Sequence, residues 1–243
     1  MHLLVTRPET DALTLQRRLE SMGHRVSLAP LLTIVPETPP LDLESVQALI
    51  ATSRNAVRSL AAHPERNRFA GLPLITVGRG TGSTARAEGF NVIAEGTSGG
   101  AELADLLTRI MDPAKGALLH VSGDVIAFDL AAALAPRGFT IRRAVVYRSL
   151  AAGSLPTSVT DALRSRTLDA VLLMSPRSSE VWVDLVRAAG LVAETQGVFH
   201  LCLSDAVAEP VRKVPGARLR VAVQPNTEEM LALAGQLSSS SPR

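Results

Sequence analysis

The chain has 243 residues, 46% of them hydrophobic and 20% charged, which allows one large or two ordinary domains and excludes a disordered or fibrous protein. Its 25 basic residues are scattered, its net charge is only +2 and its aromatic content is 3%, so we expect no nucleic-acid partner. The sequence contains no export signal and no apolar run near the roughly 18 residues of a membrane span. Its single cysteine, Cys202, excludes a framework of internal disulfides. These three features predict a cytoplasmic protein without a membrane partner.

Short β-rich runs alternate with amphipathic stretches along the chain, which is the pattern of parallel βα units. The predicted strands are His2–Thr6, Arg25–Pro30, Leu49–Thr52, Leu74–Val77, Asn91–Ile93, Ala117–Val121, Thr140–Ala144, Ala170–Met174, Val198–Leu203 and Arg218–Val221. Helices are predicted between most of them, such as Glu9–Met22, which ends at Gly23. Parallel strands joined by crossover helices predict doubly wound, flavodoxin-like sheets.

The two halves of the sequence also match each other. Residues 3–34 align with 118–149, LIATSRNAV at 49–57 aligns with LLMSPRSSEV at 172–181, and TVGRGTGSTA aligns with LCLSDAVAEP. The offset between the copies grows along the chain, as it does when loops lengthen in the second copy. Three matches in the same order predict an internal duplication.

Two segments break the βα rhythm, Leu31–Glu37 and Ala144–Ala151. Each is extended, β-rich and followed by a proline-bearing loop, which suits a crossing between domains. The prediction is therefore two α/β domains and a two-stranded β-ladder hinge: residues 1–30 with 152–237, residues 38–146, and the hinge strands 31–37 and 147–151. A single sheet with two long edge strands is the alternative. The serine-rich segment 238–243 is predicted to be a disordered tail.

Ligands of such sheets bind at the carboxyl ends of the strands, where helix N-termini offer unpaired N–H groups. Six predicted strand ends carry small or hydroxyl-bearing residues at that turn: Thr6-Arg7-Pro8, Thr52-Ser53-Arg54, Gly78-Arg79-Gly80-Thr81, Val121-Ser122-Gly123, Ser175-Pro176-Arg177 and Ser204-Asp205. Small residues let a ligand approach the backbone, hydroxyls donate hydrogen bonds, and arginine binds carboxylate or phosphate. Any one of these turns is typical of a helix cap, but six facing one cleft predict a site for a ligand with several anionic groups.

The common catalytic and cofactor motifs are missing from the sequence. The five histidines lack metal-ligand spacing, and VGRGTGSTA matches neither a Walker loop nor a dinucleotide fingerprint, so we expect no cofactor and no metal. Cys202 and Trp182 are interpreted as core residues. The one tyrosine, Tyr147, falls in a predicted hinge strand where the first copy has Leu32. Its phenol can donate a proton or a hydrogen bond, and a packed ring with a satisfied hydroxyl is the alternative.

Seven short motifs occur in an order that resembles the uroporphyrinogen-III synthase family. They are VTRP at 5–8, TSRNAV at 52–57, VGRGT at 77–81, VVYRS at 145–149, MSPRSS at 174–179, SDAVAE at 204–209 and PNTEEMLAL at 225–233. The resemblance implies two α/β domains joined by a two-stranded ladder and a lyase of tetrapyrrole (haem, sirohaem, cobalamin) biosynthesis. In that reaction hydroxymethylbilane loses water, inverts its ring D through a spiro intermediate and closes to uroporphyrinogen III, without cofactor or metal.

The resemblance also implies roles for individual residues. Tyr147 matches the family's tyrosine and is the expected catalytic residue, assisting departure of the hydroxyl. The residues expected to bind the eight carboxylates of the linear tetrapyrrole are Thr6, Arg7, Thr52, Ser53, Gly78, Thr81, Ser122, Gly123, Ser175, Arg177 and Ser204. Ala206 and Val207 depart from the family pattern, because some relatives carry threonines there. We further expect a monomer that receives its substrate by transient hand-over from hydroxymethylbilane synthase.

Two other functions stay compatible with the sequence. A non-catalytic two-domain binding or sensor protein for an anionic small molecule fits the duplicated domains and hinge equally well, because fold does not determine function. A nucleotide-dependent transferase requires a phosphate loop that the sequence lacks.

Overall fold

The computed structural model describes residues 1–97 and 99–239, which form an α/β protein with two separate sheets. The strands are β1 His2–Val5, β2 Arg25–Leu28, β3 Leu32–Pro36, β4 Val46–Ala51, β5 Leu74–Thr76, β6 Val92–Glu95, β7 Ala117–Gly123, β8 Ile141–Ala151, β9 Ala170–Leu173, β10 Phe199–Cys202 and β11 Arg218–Val221. The α-helices are α1 Glu9–Ser21, α2 Arg54–Ala61, α3 Arg79–Ala87, α4 Gly100–Ile110, α5 Leu130–Leu134, α6 Thr157–Arg164, α7 Pro176–Ala188, α8 Asp205–Arg212 and α9 Thr227–Ser239. Within the described residues, no helix has the length and apolar character needed to cross a membrane.

The chain divides into two compact units. Unit 1 contains Met1–Thr33 and the described residues from Leu150 onward, and unit 2 contains Ile34–Ser149. Both boundaries fall at the segments 31–37 and 147–151 that the sequence analysis assigns to a hinge. The exact domain limits and the hinge role stay predictions.

Unit 1 is built on a five-stranded parallel sheet with the order β11-β10-β9-β1-β2. Its strand β1 is buried on both faces, because successive side chains alternate between two hydrophobic clusters. Leu4 packs with Trp182 of α7, whereas Leu3 packs with Leu15 of α1 and Met230 of α9. Helices therefore cover both faces of this sheet, as the predicted doubly wound architecture requires.

Unit 2 contains a six-stranded sheet with the order β3-β8-β7-β4-β5-β6. Its inner strand β4 alternates in the same way. Leu49 packs with Leu60 of α2, and Ile50 packs with Leu103 of α4 and Leu130 of α5. β3 forms one edge of the sheet beside β8, whose C-terminal part carries Tyr147.

The strand orders of the two sheets agree with the predicted duplication. Aligned as the sequence copies are, β7, β8, β4, β5 and β6 correspond to β1, β2, β9, β10 and β11. With that correspondence the order β11-β10-β9-β1-β2 becomes β6-β5-β4-β7-β8, which is the order found in unit 2. Unit 1 thus has the flavodoxin-like order, and unit 2 has the same order with its two chain segments exchanged in sequence.

Most predicted elements lie within a few residues of the observed ones, and Trp182 and Cys202 are buried as predicted. The predicted strand Thr140–Ala144 is corrected, because β8 continues without interruption to Ala151. The predicted tail is also corrected at its start. Helix α9 extends to Ser239, because Leu237 is buried against the core of unit 1 and holds the last turn. Residues 240–243 lie outside the described residues.

Gly116 gives a test of the turn that precedes β7. Its φ is +120°, and a Cβ placed there lies 2.1 Å from the carbonyl oxygen of Ser45. We expect Gly116→Ala to lower the free energy of unfolding by about 1–3 kcal/mol, because the backbone must move to relieve the overlap. Gly71→Ala is the matched control, since a Cβ there meets no atom within 4 Å. Denaturant unfolding measures the stability of both variants. If Gly116→Ala and Gly71→Ala are equally stable, the turn does not require a glycine at position 116.

Candidate functional site

The six predicted turns all lie at the carboxyl ends of parallel strands, three in each unit. In unit 2 they belong to β4, β5 and β7, and in unit 1 to β9, β10 and β1, which are the corresponding strands of the duplication. One of them is corrected: Val121-Ser122-Gly123 is the end of β7 rather than a turn after it, because all three residues still pair with β8. In a parallel sheet these ends share one edge, so each unit brings its three turns to one side of its own sheet. The residues involved are Thr52, Ser53, Gly78, Thr81, Ser122 and Gly123 in unit 2, and Thr6, Arg7, Ser175, Arg177 and Ser204 in unit 1.

Tyr147 lies at this edge of unit 2 and is hydrogen-bonded to the start of α2. Its Oη is 3.0 Å from the Oγ of Ser53, and that Oγ also accepts a 3.0 Å hydrogen bond from the backbone N–H of Ala56. Ser53 is the N-cap residue of α2, where a serine side chain satisfies one of the unpaired N–H groups of the first turn. The tyrosine hydroxyl is thereby linked through one serine to the positive end of a helix.

Gly123 provides the surface on which the Tyr147 ring rests. The two residues are partners across β7 and β8, and a Cβ placed on Gly123 lies 2.6 Å from the Cζ atom of the ring. Any side chain at this position therefore displaces the ring. Substrate binding by Gly123 stays a prediction, whereas its contact with the Tyr147 ring is a packing role that sequence spacing does not reveal.

Burial keeps the Tyr147 phenol protonated. The residue is only 8% exposed, and desolvation raises the pKa of its phenol above the ordinary value of 10.0. The hydrogen bond with Ser53 acts in the opposite direction, and the nearby carboxylate of Asp124 raises the pKa further. At neutral pH the group is thus a neutral hydrogen-bond donor, and its conversion to a phenolate is unfavourable.

His120 is a residue of this edge that sequence reasoning missed. It is buried on β7, and its Nε2 is 3.0 Å from the Oγ1 of Thr52. Burial and the nearby Arg143 lower its pKa to about 4, so the ring is neutral at physiological pH. The sequence gives no sign of this role, because a hydrogen bond between residues of neighbouring strands requires no motif or spacing. The predicted ligand-binding hydroxyl of Thr52 is therefore oriented by a buried imidazole.

The other two predicted turns of unit 2 differ in whether their polar groups already have hydrogen-bond partners in the protein. The Ser122 hydroxyl donates to the carbonyl of Gly123 at 3.0 Å and accepts from Arg143 at 2.9 Å, so it serves the turn itself. At the start of α3, Gly78 is the N-cap and Thr81 is buried. The first N–H groups of a helix have no intrahelical acceptor, so this glycine-rich turn presents backbone donors rather than side chains.

In unit 1 the hydroxyl of Thr6 is fully buried and donates to the carbonyl of Leu172 at 2.7 Å, which ties β1 to β9. Arg7 forms a largely buried ion pair with Asp11 at 2.8 Å. The predicted reinforcement of carboxylate binding by Arg7 therefore has to compete with an existing carboxylate partner.

The other two turns of unit 1 start helices. Ser175 caps α7 by accepting a hydrogen bond from the N–H of Ser178, and the exposed Arg177 pairs with Glu180 at 3.3 Å. Ser204 caps α8 without using its side chain and is half-buried. The groups that both units could offer to an anion are thus mainly backbone N–H groups at the starts of α2, α3 and α8, because at the start of α7 Pro176 has no N–H and the N–H of Ser178 is bonded to Ser175.

Among residues 1–97 and 99–239, no group of three or more histidine, cysteine, aspartate or glutamate side chains is arranged to hold a metal ion. Cys202 is buried on β10, and burial raises the pKa of its thiol to about 12, so it is an inert core residue.

Comparisons with known proteins agree on one family. A family model described as uroporphyrinogen-III synthase HemD matches residues 14–232. A crystal structure of uroporphyrinogen-III synthetase from Helicobacter pylori 26695 is similar with a TM-score of 0.70 and 18% identity, over 97% of this chain and 99% of that one. A mutant uroporphyrinogen III synthase from the extremely thermophilic bacterium Thermus thermophilus is similar with a TM-score of 0.58 and 16% identity, over 99% and 100% of the two chains. No curated protein sequence matches the chain.

The electrostatic setting of Tyr147 can be measured directly, because it is the only tyrosine. We expect the midpoint of the tyrosinate absorbance titration to lie above pH 10.0, the ordinary pKa of the group. Asp124→Asn removes a negative charge and lowers this pKa, whereas Ser53→Ala removes a hydrogen bond and raises it. Tyr147→Phe is the control and abolishes the signal. If the pKa of Tyr147 moves in the same direction in Asp124→Asn and in Ser53→Ala, the described surroundings of the phenol are wrong.

Proposed function

The chain belongs to the uroporphyrinogen-III synthase family, and we propose that it converts hydroxymethylbilane to uroporphyrinogen III with inversion of ring D and loss of water. The observation that carries this proposal is the family match over residues 14–232, which includes Tyr147 and the strand-end turns that follow β4, β5, β7, β9 and β10. A lyase of this type binds many carboxylates and has to ionise a single carbon–oxygen bond. Backbone donors at helix starts and one protonated phenol suit those two tasks.

Tyr147 assists departure of the substrate hydroxyl in this proposal. The Oγ of Ser53 already accepts from Ala56 N–H, so its own proton is available to the Oη of Tyr147. The phenolic proton is then free to hydrogen-bond to the hydroxyl while the carbon–oxygen bond breaks and the electron pair of the pyrrole nitrogen forms the cationic azafulvene. The departing hydroxide becomes water with the proton that the substrate releases when the macrocycle closes. Full transfer of the proton is disfavoured because it leaves a buried phenolate. The assistance is thus partial, and positioning of the chain ends supplies the larger part of catalysis.

The carboxylates of the substrate are bound in this proposal by the helix starts of both units. Support comes from the N-cap positions Ser53, Gly78, Ser175 and Ser204, each of which precedes the first turn of a helix, where backbone N–H groups have no acceptor within the helix. Thr52, Thr81, Ser122 and Gly123 shape the turns in unit 2. In unit 1, Thr6 and Arg7 contribute chiefly through their backbone, since their side chains are engaged, and the exposed Arg177 adds a positive charge. Recognition by backbone groups tolerates varied side chains, which fits the low identities to the solved structures.

The same proposal extends to the surroundings of the enzyme. We propose a cytoplasmic monomer, with domains of residues 1–30 plus 152–237 and of residues 38–146 joined by two hinge strands. The linear bilane closes unaided to isomer I, so a transient hand-over from hydroxymethylbilane synthase protects the substrate. No cofactor takes part.

The reaction is tested by supplying the protein with hydroxymethylbilane generated in situ, oxidising the products and separating the uroporphyrin isomers. Isomer III that increases in proportion to added protein supports the proposal. Isomer I alone, from protein with a normal circular dichroism spectrum, rejects it and leaves a binding protein for an anionic small molecule.

Replacement of the tyrosine hydroxyl tests its share in catalysis. We expect Tyr147→Phe to lower kcat by about 10- to 100-fold and to leave KM nearly unchanged, because the hydroxyl acts on the departing group rather than on the carboxylates. The ring itself stays packed over Gly123, so unfolding measurements should differ little from those of the wild type. Complete loss of turnover in a folded, substrate-binding variant contradicts the partial role.

Charge at a helix start tests carboxylate binding. Ser175→Asp keeps a good N-cap for α7 but adds a negative charge where substrate carboxylates are proposed to bind. We expect KM to rise by about tenfold from like-charge repulsion. Ser175→Asn is the matched control, because it caps the helix without charge and should leave KM close to that of the wild type. If the two variants have the same KM, this helix start does not bind the substrate.

A further inference from the structure

Arg143 on β8 makes its described hydrogen bonds to one turn. Its Nε donates to the Oγ of Ser122 at 2.9 Å, and its Nη2 donates to the carbonyl oxygens of Gly123 at 2.6 Å and Asp124 at 2.8 Å. One planar guanidinium therefore holds three consecutive residues by two nitrogen atoms. We call residues 122–124, which are the last two residues of β7 and the residue after them, the Gly123 turn.

The Gly123 turn also holds the backbone of β8 around the Tyr147 ring. The N–H of Asp124 donates to the carbonyl of Tyr147 at 3.1 Å, and the Oδ1 of Asp124 accepts from the N–H of Ser149 at 3.1 Å. Gly123 lies directly beneath the ring. The Gly123 turn thus fixes the phenol in two ways, because Gly123 supports the ring and Asp124 holds the β8 backbone on both sides of Tyr147.

A β-bulge explains why the ring lies over Gly123. Ser122 is opposite Val145, but Gly123 is opposite Tyr147, so Val146 is an extra residue on β8. Adjacent strand residues normally face opposite sides of a sheet, yet Val146 and Tyr147 pack in the same core cluster. The bulge turns Tyr147 toward Ser53, and it is located where the Gly123 turn begins.

We propose that Arg143 is a positioning residue for Tyr147, fixing the Gly123 turn and bulge on which the ring rests. The inference rests on the proposed function, because it assigns a role in the step that Tyr147 assists. Arg143 acts through the turn and not by binding substrate, since its described hydrogen bonds are made to residues 122–124. A lysine has a single ammonium group and cannot reproduce this fork.

The first experiment compares Arg143→Gln with Arg142→Gln. Arg142 is the matched control, because it is the preceding residue on β8 but bonds to Asp42 and Glu44, away from the Gly123 turn. We expect Arg143→Gln to lower kcat by about tenfold with little change in KM, and Arg142→Gln to leave both unchanged. Arg143→Lys, which keeps the charge, should lose nearly as much and serves if the glutamine variant does not fold. A rise in KM with unchanged kcat overturns the proposal in favour of direct substrate binding.

The second measurement is the pKa of the single tyrosine, read from tyrosinate absorbance without substrate. Loss of a positive charge by itself raises the pKa of a phenol, whereas a loosened, hydrated ring has a lower pKa. We expect a lower pKa in Arg143→Gln than in Arg142→Gln. An equal or higher pKa overturns the proposal, whether or not the protein is a synthase, so this result is independent of the proposed reaction.

The third measurement combines Arg143→Gln with Tyr147→Phe. If Arg143 acts only by placing the phenol, the double variant has the kcat of Tyr147→Phe alone, because no hydroxyl remains to be placed. If the kcat of the double variant is lowered by the product of the two single-variant losses, the proposal is overturned. Absence of isomer III from the wild-type protein rejects the proposed function instead, and the tyrosine pKa then decides on the positioning role alone.

Discussion

A parallel sheet can be connected only by crossovers, and this constraint determines where the chemistry of the protein lies. Each crossover starts at the carboxyl end of a strand, so the helix starts collect at one edge of each sheet. Here those starts carry serine or glycine at the cap, and the proposed carboxylate donors are backbone N–H groups of the first turns. Tyr147 lies at an edge where the topology already collects the helix starts.

The two units carry this edge twice, but only one of them carries the phenol. Leu32 occupies the position in the first copy that Tyr147 occupies in the second, and it packs in the core of unit 1. In unit 2 the bulge at Val146 and the missing side chain of Gly123 make room for an aromatic ring at the edge. The two units thus share the same edge of helix starts, and local differences place a phenol at only one of them.

Much of the fold was predictable because it depends on strong, local patterns. Runs such as Leu3–Val5 and Ala170–Leu173 are apolar at every position, which is typical of a strand covered on both faces, and the order of three matching segments predicted the repeat. The positions of the site turns in the sequence were predictable, but the hydrogen bonds and ion pairs of their side chains were not. Sequence spacing cannot tell that the hydroxyls of Thr6 and Ser122 are already bonded to the protein, nor that Arg7 is paired with Asp11. His120 and Arg143 were missed because each acts through a hydrogen bond that arises only when distant strands pair.

The exchange of segments between the copies has a consequence for synthesis on the ribosome. Unit 2 is continuous, so its strands can pair as soon as Ser149 has emerged, whereas β1 and β2 remain without β9 until Leu173 is made. Strand β1 is buried on both faces in the finished protein, and during that interval its aliphatic side chains face water. Strands β1 and β2 therefore wait for β9 while the whole of unit 2 is synthesised, whereas the strands of unit 2 pair without any segment that comes after Ser149.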